Sequence, residues 1–293
     1  MTRIDGHTYL IGLMAYPIRH SMSPTMHNTA FEELGLNYAY LAFDIDGDHL
    51  KDGVQAIRTL EMRGANISMP NKQNIIPHLD KLDISAKMNQ AVNTVVNDNG
   101  VLTGYTTDGV GFVNDLKRKG HDVSGQKMVV VGAGGAGTPI ATQSALDGLS
   151  EIKIFNRRDD RFANAQKIVD LINQETDCQA SLHDLADDAA FKDALAWADI
   201  YCDATGVGMK PLEDQSLVND PSWLKPDLVV YDTVYAPRQT KLMTIAKDAG
   251  VKNVYNGLGM MIEQGAAAFK LWTGQDMPIA AVEAAINEKD GQA

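Results

Sequence analysis

Two patterns of apolar residues recur along this chain. Short apolar runs, such as Met128–Val131, predict strands buried on both faces, as in a parallel sheet. Asn37–Ile45 alternates apolar and polar side chains, which predicts a strand with one buried face. Runs with helical spacing, such as Leu50–Met62, separate the strands. This alternation of strand and helix predicts an α/β fold.

The predicted elements form two successive groups. The first is a small mixed α/β sheet, with strands Tyr9–Ala15, Asn37–Ile45 and Gly64–Met69, a hairpin of Ala91–Asn97 and Val101–Tyr105, and helices Ser23–Leu34 and Leu50–Met62. The second is a doubly wound parallel sheet, with strands Met128–Val131, Glu151–Asn156, Ala180–Leu182, Asp199–Ala204 and Leu228–Thr233, and helices Thr138–Leu149 and Arg161–Gln174. Helices Gly257–Trp272 and Ile279–Asn287 end the chain. Glycines near Asp108 and Asn256 mark two boundaries, and the expected site is a cleft between the domains.

A glycine-rich turn follows the apolar strand Met128–Val131. Gly132, Gly134 and Gly137 match the G-x-G-x-x-G pattern, and the helical run Thr138–Leu149 comes next. In this context Gly132 permits the tight turn, Gly134 lets a pyrophosphate approach the backbone, and Gly137 allows close packing of helix on strand. The pattern therefore predicts dinucleotide binding at a helix N-terminus. The alternative is a glycine-rich turn that only packs a βαβ unit.

Composition narrows the class of protein. The chain has 293 residues, 44% of them hydrophobic, and its net charge of −12 argues against non-specific binding to nucleic acid. Cys178 and Cys202 imply no disulfide framework, and the seven histidines show no metal-binding spacing, so no metal is assigned. No apolar run reaches transmembrane length and no signal peptide is evident, so we expect a cytoplasmic protein without a membrane partner.

Three short polar segments could carry chemistry. Ser21 and Ser23 precede a helical run; their hydroxyls suit a carboxylate, although Ser23 also fits a helix N-cap. Lys72 follows a strand and a proline, and it would act as a general base if burial lowered its pKa; the alternative is an ordinary solvated lysine. Asp108 precedes a glycine and by itself reads as a turn residue.

Taken together, these pieces resemble the shikimate/quinate dehydrogenase family, and its quinate/shikimate branch in particular. The matching segments occur in the family's order: His20-Ser-Met-Ser-Pro24, Asn66-Ile-Ser-Met-Pro-Asn-Lys72, Ala91-Val-Asn-Thr94, Thr107-Asp-Gly-Val-Gly111, Gly132-Ala-Gly-Gly-Ala136, Asn156-Arg-Arg-Asp159, Gly206-Val-Gly-Met209 and Asn256-Gly-Leu-Gly-Met-Met-Ile-Glu-Gln264. The resemblance implies reversible hydride transfer between C3 of shikimate or quinate and NAD(P). It also implies a substrate-binding and catalytic domain at 1–108, a Rossmann domain at 109–256, and C-terminal helices at 257–293 that complete the substrate domain.

The resemblance also implies roles for individual residues. Lys72 and Asp108 would form the catalytic pair and contact the substrate, with Lys72 taking the hydroxyl proton and Asp108 holding that hydroxyl. The remaining substrate-binding residues would be Ser21, Ser23 and Tyr235 at the carboxylate and Ser68, Asn93 and Gln264 at the other hydroxyls. Thr106 stands where the family often has asparagine, which puts that contact in doubt.

The implied cofactor site has several segments: Gly132, Ala133, Gly134, Gly135 and Ala136; Asn156, Arg157, Arg158 and Asp159; Gly206; Thr233, Val234, Tyr235 and Ala236; and Gly257. Asp159 could accept hydrogen bonds from the ribose hydroxyls of NAD, whereas Arg157, Arg158 and Arg161 could hold the 2′-phosphate of NADP. We expect NAD to be preferred and NADP to be tolerated.

Two other functions are compatible with the same residues. One is a catalytically inactive regulatory module that binds the dinucleotide or shikimate, and the other is a dehydrogenase of a modified shikimate. The intact Lys72 and Asp108 favour an enzyme over the regulator. The partner is in each case a small molecule. The sequence does not decide whether shikimate or quinate is the main substrate. It also leaves the oligomeric state open, and a homodimer is the candidate.

Overall fold

The structure is a computed structural model that describes residues 4–159 and 162–291. It comprises two compact units. One runs up to Thr107 and resumes at Ile262, and the other runs from Asp108 to Met261. The domain boundaries expected from the sequence stay predictions, because compactness alone does not assign a function to either unit.

The first unit is built on a mixed sheet. Its elements in chain order are β1 (Tyr9–Ala15), α1 (Ser23–Glu33), β2 (Tyr38–Asp44), α2 (Leu50–Thr59), β3 (Gly64–Ile67), α3 (Asn71–Asn74), β4 (Lys81–Leu82), α4 (Ile84–Asn89), β5 (Thr94–Asp98) and β6 (Val101–Tyr105), with a 3-10 turn at Ile76–His78. The strand order is β2-β1-β3-β5-β6-β4. β1 lies parallel to β2 and β3, whereas β5 is antiparallel to both β3 and β6.

The second unit is a parallel sheet with an α-helix between successive strands except between β10 and β11, which a 3-10 turn separates. Its elements are α5 (Asp108–Arg118), β7 (Lys127–Val131), α6 (Gly137–Leu146), β8 (Glu151–Asn156), α7 (Phe162–Glu175), β9 (Gln179–Asp184), α8 (Asp188–Trp197), β10 (Ile200–Asp203), β11 (Val229–Asp232), α9 (Lys241–Asp248) and β12 (Asn253–Tyr255), with a 3-10 turn at Pro221–Trp223. The order β12-β11-β10-β7-β8-β9 is that of a Rossmann sheet. Buried side chains cover both faces of β7, since Met128 and Val130 pack in one core and Val129 and Val131 in another.

Two helices end the chain. They are α10 (Leu258–Thr273), which contains the second division point, and α11 (Ile279–Gly291). The end of α10 is tied to the first sheet, where the Trp272 indole N–H donates to the carbonyl of Val95 at 3.0 Å. Gly64 allows this approach, because a Cβ there would lie 2.5 Å from Trp272 Nε1. The predicted fold class, including the return of the C-terminal helices to the first sheet, is confirmed.

The structure decides between the two interpretations of Ser23 only as far as the cap is concerned. The helix begins at Ser23, as predicted, and its N-cap is Met22, so the alternative that Ser23 is the N-cap is wrong. Instead the Ser21 hydroxyl accepts from the Ser23 N–H at 3.1 Å. A residue inside the first turn cannot cap that turn, and the serine two positions earlier takes over one of the orphan donors.

His27 lies on α1 within a cluster of aromatic side chains. Its ring stacks on Tyr40, with centroids 4.4 Å apart, and meets Trp272 edge-on at 5.3 Å. The side chain is fully buried, and neither ring nitrogen has a hydrogen-bond partner in the described part of the chain. Burial lowers the pKa of His27 to about 3. The folded protein therefore holds this ring neutral at a position where a charge could not be solvated.

His27→Phe is expected to weaken the dependence of stability on pH in mildly acidic solution. The unfolded chain protonates His27 near pH 6.5, whereas the folded protein does so only near pH 3, so the wild type loses stability as pH falls through that window. Relative to the wild type, the variant should gain about 2 kcal/mol between about pH 7 and pH 5, measured by urea unfolding. His49→Phe is the control, because His49 is exposed and its hydrogen bond to Asp46 raises its pKa. Relative to the wild type, the stability of this variant should therefore change with falling pH in the opposite direction. Parallel curves for the wild type and His27→Phe would refute the assignment.

Candidate functional site

Most of the residues expected to bind substrate lie at one edge of the first sheet. Ser68 directly follows β3, and Ser21 follows β1, which runs parallel to it. Asn93 immediately precedes β5, which is antiparallel to β3, so it returns to the same edge. The chain then leaves this edge after β6, through Thr107. Four separate segments thus bring polar side chains to one edge of the sheet.

Lys72 reaches this edge on the short helix α3. It is the second residue of that helix, it is half-buried, and its carbonyl accepts from the Val92 N–H at 2.8 Å. That bond fixes the backbone of Lys72 beside Asn93 and the start of β5 at Thr94. The proline-induced bend before α3 was expected from the sequence, and it sets the lysine beside the polar residues rather than on a surface helix.

Asn93 is held by a buried hydrogen-bond network. Its side-chain oxygen accepts from the Thr107 N–H and from the Thr94 hydroxyl, both at 2.9 Å. Its amide nitrogen donates to the Thr107 hydroxyl at 3.0 Å. These bonds fix which end of the Asn93 carboxamide points in which direction, so its orientation is set before any ligand arrives.

The network continues through Asn66, which the sequence did not identify as functional, and Thr106, whose contact the resemblance left in doubt. Asn66 donates from its amide nitrogen to the Asn93 carbonyl at 3.0 Å and accepts from the Tyr40 hydroxyl at 2.7 Å. Thr106 donates its hydroxyl to the carbonyl of Ala91, so this residue holds the chain beside Asn93. A run of buried polar residues around a motif is the signal that could have identified them.

The other three candidate residues lie in different parts of the chain: Asp108 in α5, Tyr235 after β11 and Gln264 in α10. Asp108 is half-buried and is the first residue of α5. It is therefore not the simple turn residue that its sequence context favours; a carboxylate at this place complements the helix dipole. Tyr235 follows β11 in the second unit and is exposed. Gln264 lies half-buried on α10 in the first unit, beside Gly265, where a Cβ would meet the Met26 side chain of α1 at 2.2 Å.

The glycine-rich loop joins β7 to α6 in the second unit. Gly132 has φ +92°, a conformation that favours glycine, and its N–H donates to the Phe155 carbonyl at 2.8 Å. A Cβ on Gly137 would lie 1.7 Å from the Gly132 carbonyl oxygen. At Gly134 and Gly135 a Cβ would meet no described atom within 4 Å. The loop is thus closed against itself at Gly137 and open at Gly134, as expected of a backbone that a phosphate approaches.

Asn156 ends β8 and supports this loop. Its side-chain oxygen accepts from the Ala133 N–H at 3.2 Å. Arg157 follows with a side chain that is 80% exposed, and its guanidinium lies 3.9 Å from the Asp159 carboxylate. Arg158 donates from Nε to Asp184 at 2.8 Å and lies over the Phe162 ring. Arg161, the third arginine expected at this site, lies outside the described residues.

The remaining cofactor candidates follow the ends of β10, β11 and β12. These are Gly206, Thr233, Val234, Tyr235, Ala236 and Gly257. Gly257 packs directly on the β11 loop, since a Cβ there would lie 1.9 Å from the Thr233 carbonyl oxygen. Because all three strands are parallel, these residues share the carboxyl edge of the sheet with the glycine-rich loop.

Comparison with known proteins finds two family models, whose matches lie wholly or mostly in the first unit. A family model described as the shikimate dehydrogenase substrate binding domain matches residues 13–95, and one described as the shikimate 5′-dehydrogenase C-terminal domain matches 257–286. Proteins named shikimate dehydrogenase (NADP(+)) from Streptococcus uberis and Listeria monocytogenes are 57% and 54% identical, each over 94% of this chain and 95% of its own length. A crystal structure described as shikimate 5-dehydrogenase from Listeria monocytogenes in complex with shikimate and NAD is 53% identical. It has a TM-score of 0.95 and covers 98% of this chain and 99% of its own.

The chain belongs to the shikimate dehydrogenase family. Its resemblance to that family is therefore confirmed. The C-terminal family model and the Listeria monocytogenes structure carry the name shikimate 5-dehydrogenase rather than 3-dehydrogenase, so the expected reaction at C3 stays a prediction.

The expected preference for NAD is wrong, because these relatives are named as NADP(+) enzymes. The physical reason lies in the position of Asp159. An acid selects NAD when it follows the second strand closely enough to hold the ribose. In this member of the shikimate dehydrogenase family β8 ends at Asn156, and Asp159 comes three residues later beside the Arg157 guanidinium.

Three further features of this family member concern membranes, metals and thiols. Within residues 4–159 and 162–291, no helix is long and apolar enough to cross a membrane. The same residues contain no group of three or more His, Cys, Asp or Glu side chains placed to hold a metal ion. Cys178 and Cys202 are buried free thiols.

Proposed function

We propose that this protein is a shikimate dehydrogenase that transfers hydride between a ring secondary alcohol of shikimate and NADP. The observation that carries the proposal is the placement of Lys72 at the sheet edge that also holds Ser68 and the preoriented Asn93. Loss of hydride from an alcohol leaves a proton that needs an acceptor within hydrogen-bond reach. A half-buried lysine among hydroxyl and amide groups suits that task.

Lys72 and Asp108 are the proposed catalytic pair. Lys72 takes the single proton of the reacting hydroxyl on its unprotonated amine and so becomes an ammonium, and Asp108 lies at the same hydroxyl and accepts a hydrogen bond from the Lys72 nitrogen, which orients the lysine. The nicotinamide supplies the hydride chemistry when bound, and the protein supplies positioning and charge. In the reverse direction Lys72 returns the proton to the carbonyl oxygen.

The other proposed contacts divide by chemistry. Ser21 and Ser23, with Tyr235, hold the substrate carboxylate, and Ser68, Asn93 and Gln264 bind the remaining ring hydroxyls. Support for Asn93 comes from its fixed carboxamide, because a preoriented group loses little entropy on binding. A site of this kind rejects analogues that lack a hydroxyl, since its own polar groups would be left unpaired.

The proposed cofactor is NADP. The open backbone at Gly134 and Gly135 suits the pyrophosphate, and the exposed Arg157 suits the 2′-phosphate, which a guanidinium matches in geometry. Arg158, held by Asp184, adds a second guanidinium to the same turn. The proposed functional domains are 1–108 for substrate, 109–256 for cofactor and 257–293 completing the substrate domain; a homodimer stays a prediction.

A steady-state matrix of shikimate and quinate against NADP and NAD tests this proposal. We expect the highest kcat/KM for shikimate with NADP. The rate is measured from the increase in absorbance as the nicotinamide is reduced. If turnover with NAD exceeds turnover with NADP, the proposed preference for NADP is wrong, but the proposed reaction is not. Tight binding of NADPH and shikimate without turnover in any of the four combinations would instead favour the regulatory module.

A further inference from the structure

Two buried carboxyl groups lie side by side at the carboxyl edge of the second sheet. Asp203 is the last residue of β10 and Asp232 the last residue of β11, and the two are paired in register. Their exposures are 2% and 1%. Residues paired on adjacent parallel strands project to the same face of a sheet, so the two carboxyl groups are neighbours. Burial, followed by the neighbouring Asp232, raises the pKa of Asp203 to about 7, and burial also raises the pKa of Asp232.

Each carboxyl group holds the base of the loop that follows its own strand. Asp203 Oδ1 accepts from the Thr205 N–H at 3.0 Å and from the Thr205 hydroxyl at 2.7 Å. Asp232 Oδ1 accepts from the Val234 N–H at 2.9 Å, and its Oδ2 accepts from the Thr240 hydroxyl at 2.6 Å. The oxygens of both carboxyl groups therefore accept hydrogen bonds from backbone N–H and threonine hydroxyl groups of the loops that follow.

The loop after Asp203 is next to the glycine-rich loop and to the second carboxyl group. A Cβ on Gly132 would lie 3.1 Å from both the Ala204 carbonyl oxygen and Thr205 Cγ2, so the Asp203 loop packs against the first turn of the cofactor motif. A Cβ on Gly208 would lie 3.8 Å from Asp232 Oδ2, so the Asp203 loop also returns to the second carboxyl group. Burying two carboxyl groups is costly. A cluster that bears this cost at the ligand-binding edge of a parallel sheet points to a role in binding.

We propose that Asp203 and Asp232 are positioning residues for the cofactor, which fix the loops beginning at Thr205 and at Val234 in the conformation that receives the nicotinamide half of NADP. The proposal rests on the proposed function. Neither carboxyl group needs to touch the cofactor. Each acts through the backbone N–H and hydroxyl groups that it orients.

Asp203→Ala tests the proposal, because it removes both hydrogen bonds to Thr205. We expect KM for NADP and Kd for NADPH to rise about tenfold, while KM for shikimate changes by less than about twofold. Asp203→Asn keeps an acceptor oxygen for Thr205 and should restore both cofactor constants to within about threefold of the wild type. Thr205→Val keeps the N–H bond to Asp203 and removes the hydroxyl, which donates to Asp203 and accepts from the Val207 N–H at 3.2 Å. It should give an intermediate effect, and it keeps the test open if Asp203→Ala folds poorly.

Asp199→Ala is the matched control. Asp199 precedes the same strand β10 at the opposite edge of the sheet, and its carboxylate also accepts from a backbone N–H, that of Lys127 at 2.9 Å. This variant should lower the melting temperature without changing KM for NADP. Two outcomes would overturn the proposal. One is that KM for NADP and KM for shikimate rise equally in Asp203→Ala. The other is that KM for NADP and Kd for NADPH are unchanged in both Asp203→Ala and Thr205→Val. Because NADPH binding is titrated directly by fluorescence, these outcomes are separate from a failure of the wild type to oxidise shikimate.

Discussion

Lys72→Ala is expected to lower kcat for shikimate oxidation by a factor of about 10² to 10⁴, the range that general acid–base catalysis contributes. Lys72 lies on α3 beside the residues proposed to hold the ring hydroxyls. Alanine leaves those hydroxyl and amide groups in place, so shikimate should still bind, and Kd should change by less than about tenfold. The measurement is kcat from initial rates with NADP, together with Kd for shikimate from calorimetry.

Lys51→Ala provides the control for this prediction. Lys51 is also the second residue of a helix in the first unit, α2, but it is exposed. Its replacement should leave kcat and KM unchanged. A Lys72→Ala enzyme with kcat near that of the wild type would remove Lys72 from the proton transfer. A loss of shikimate binding as large as the loss of kcat would assign it to binding instead.

The sequence predicted the elements whose burial leaves a strong periodic pattern. β1, β7 and β8 were expected with nearly their observed bounds, because β1 and β7 contain runs of buried residues and β8 carries buried Ile152, Ile154 and Phe155 among polar positions. β12 was missed because three half-buried residues are too short to show a period. α8 was missed although Phe191, Ala194 and Leu195 are buried at helical spacing, so its signal was present in the sequence.

Residues that act through tertiary contacts could not be predicted in the same way. Asn66 and Thr107 lie in recognisable motifs, but their bonds to Asn93 join three segments that meet only in the folded sheet. The cofactor preference was predicted wrongly for a different reason, because its signal lies within one short segment. An acidic residue after the second strand was read as selecting NAD, yet its effect depends on a displacement of a few residues along the turn and on the arginines beside it.

Gly137→Ala and Gly134→Ala are expected to fail in different ways, although both alter the glycine-rich loop. At Gly137 the new Cβ would lie 1.7 Å from the Gly132 carbonyl oxygen and 2.8 Å from its carbonyl carbon. Neither backbone segment can move away cheaply, because Gly132 donates its N–H to β8 and Gly137 begins α6. We expect a loss of at least about 3 kcal/mol in the free energy of unfolding, and hence a lower melting temperature in the absence of any ligand.

At Gly134 the same methyl group would meet no described atom within 4 Å. The melting temperature without ligand should therefore stay within about 2 °C of the wild type. If the pyrophosphate of NADP lies against this backbone, the methyl group occupies its place, and Kd for NADPH should rise by at least about tenfold. Gly47→Ala, also in open space but on a turn of the first unit, should change neither quantity. Unchanged NADPH binding in Gly134→Ala would place the pyrophosphate elsewhere and leave this loop as a packing turn. A large loss of melting temperature would instead mean that the loop is closed at Gly134 as well.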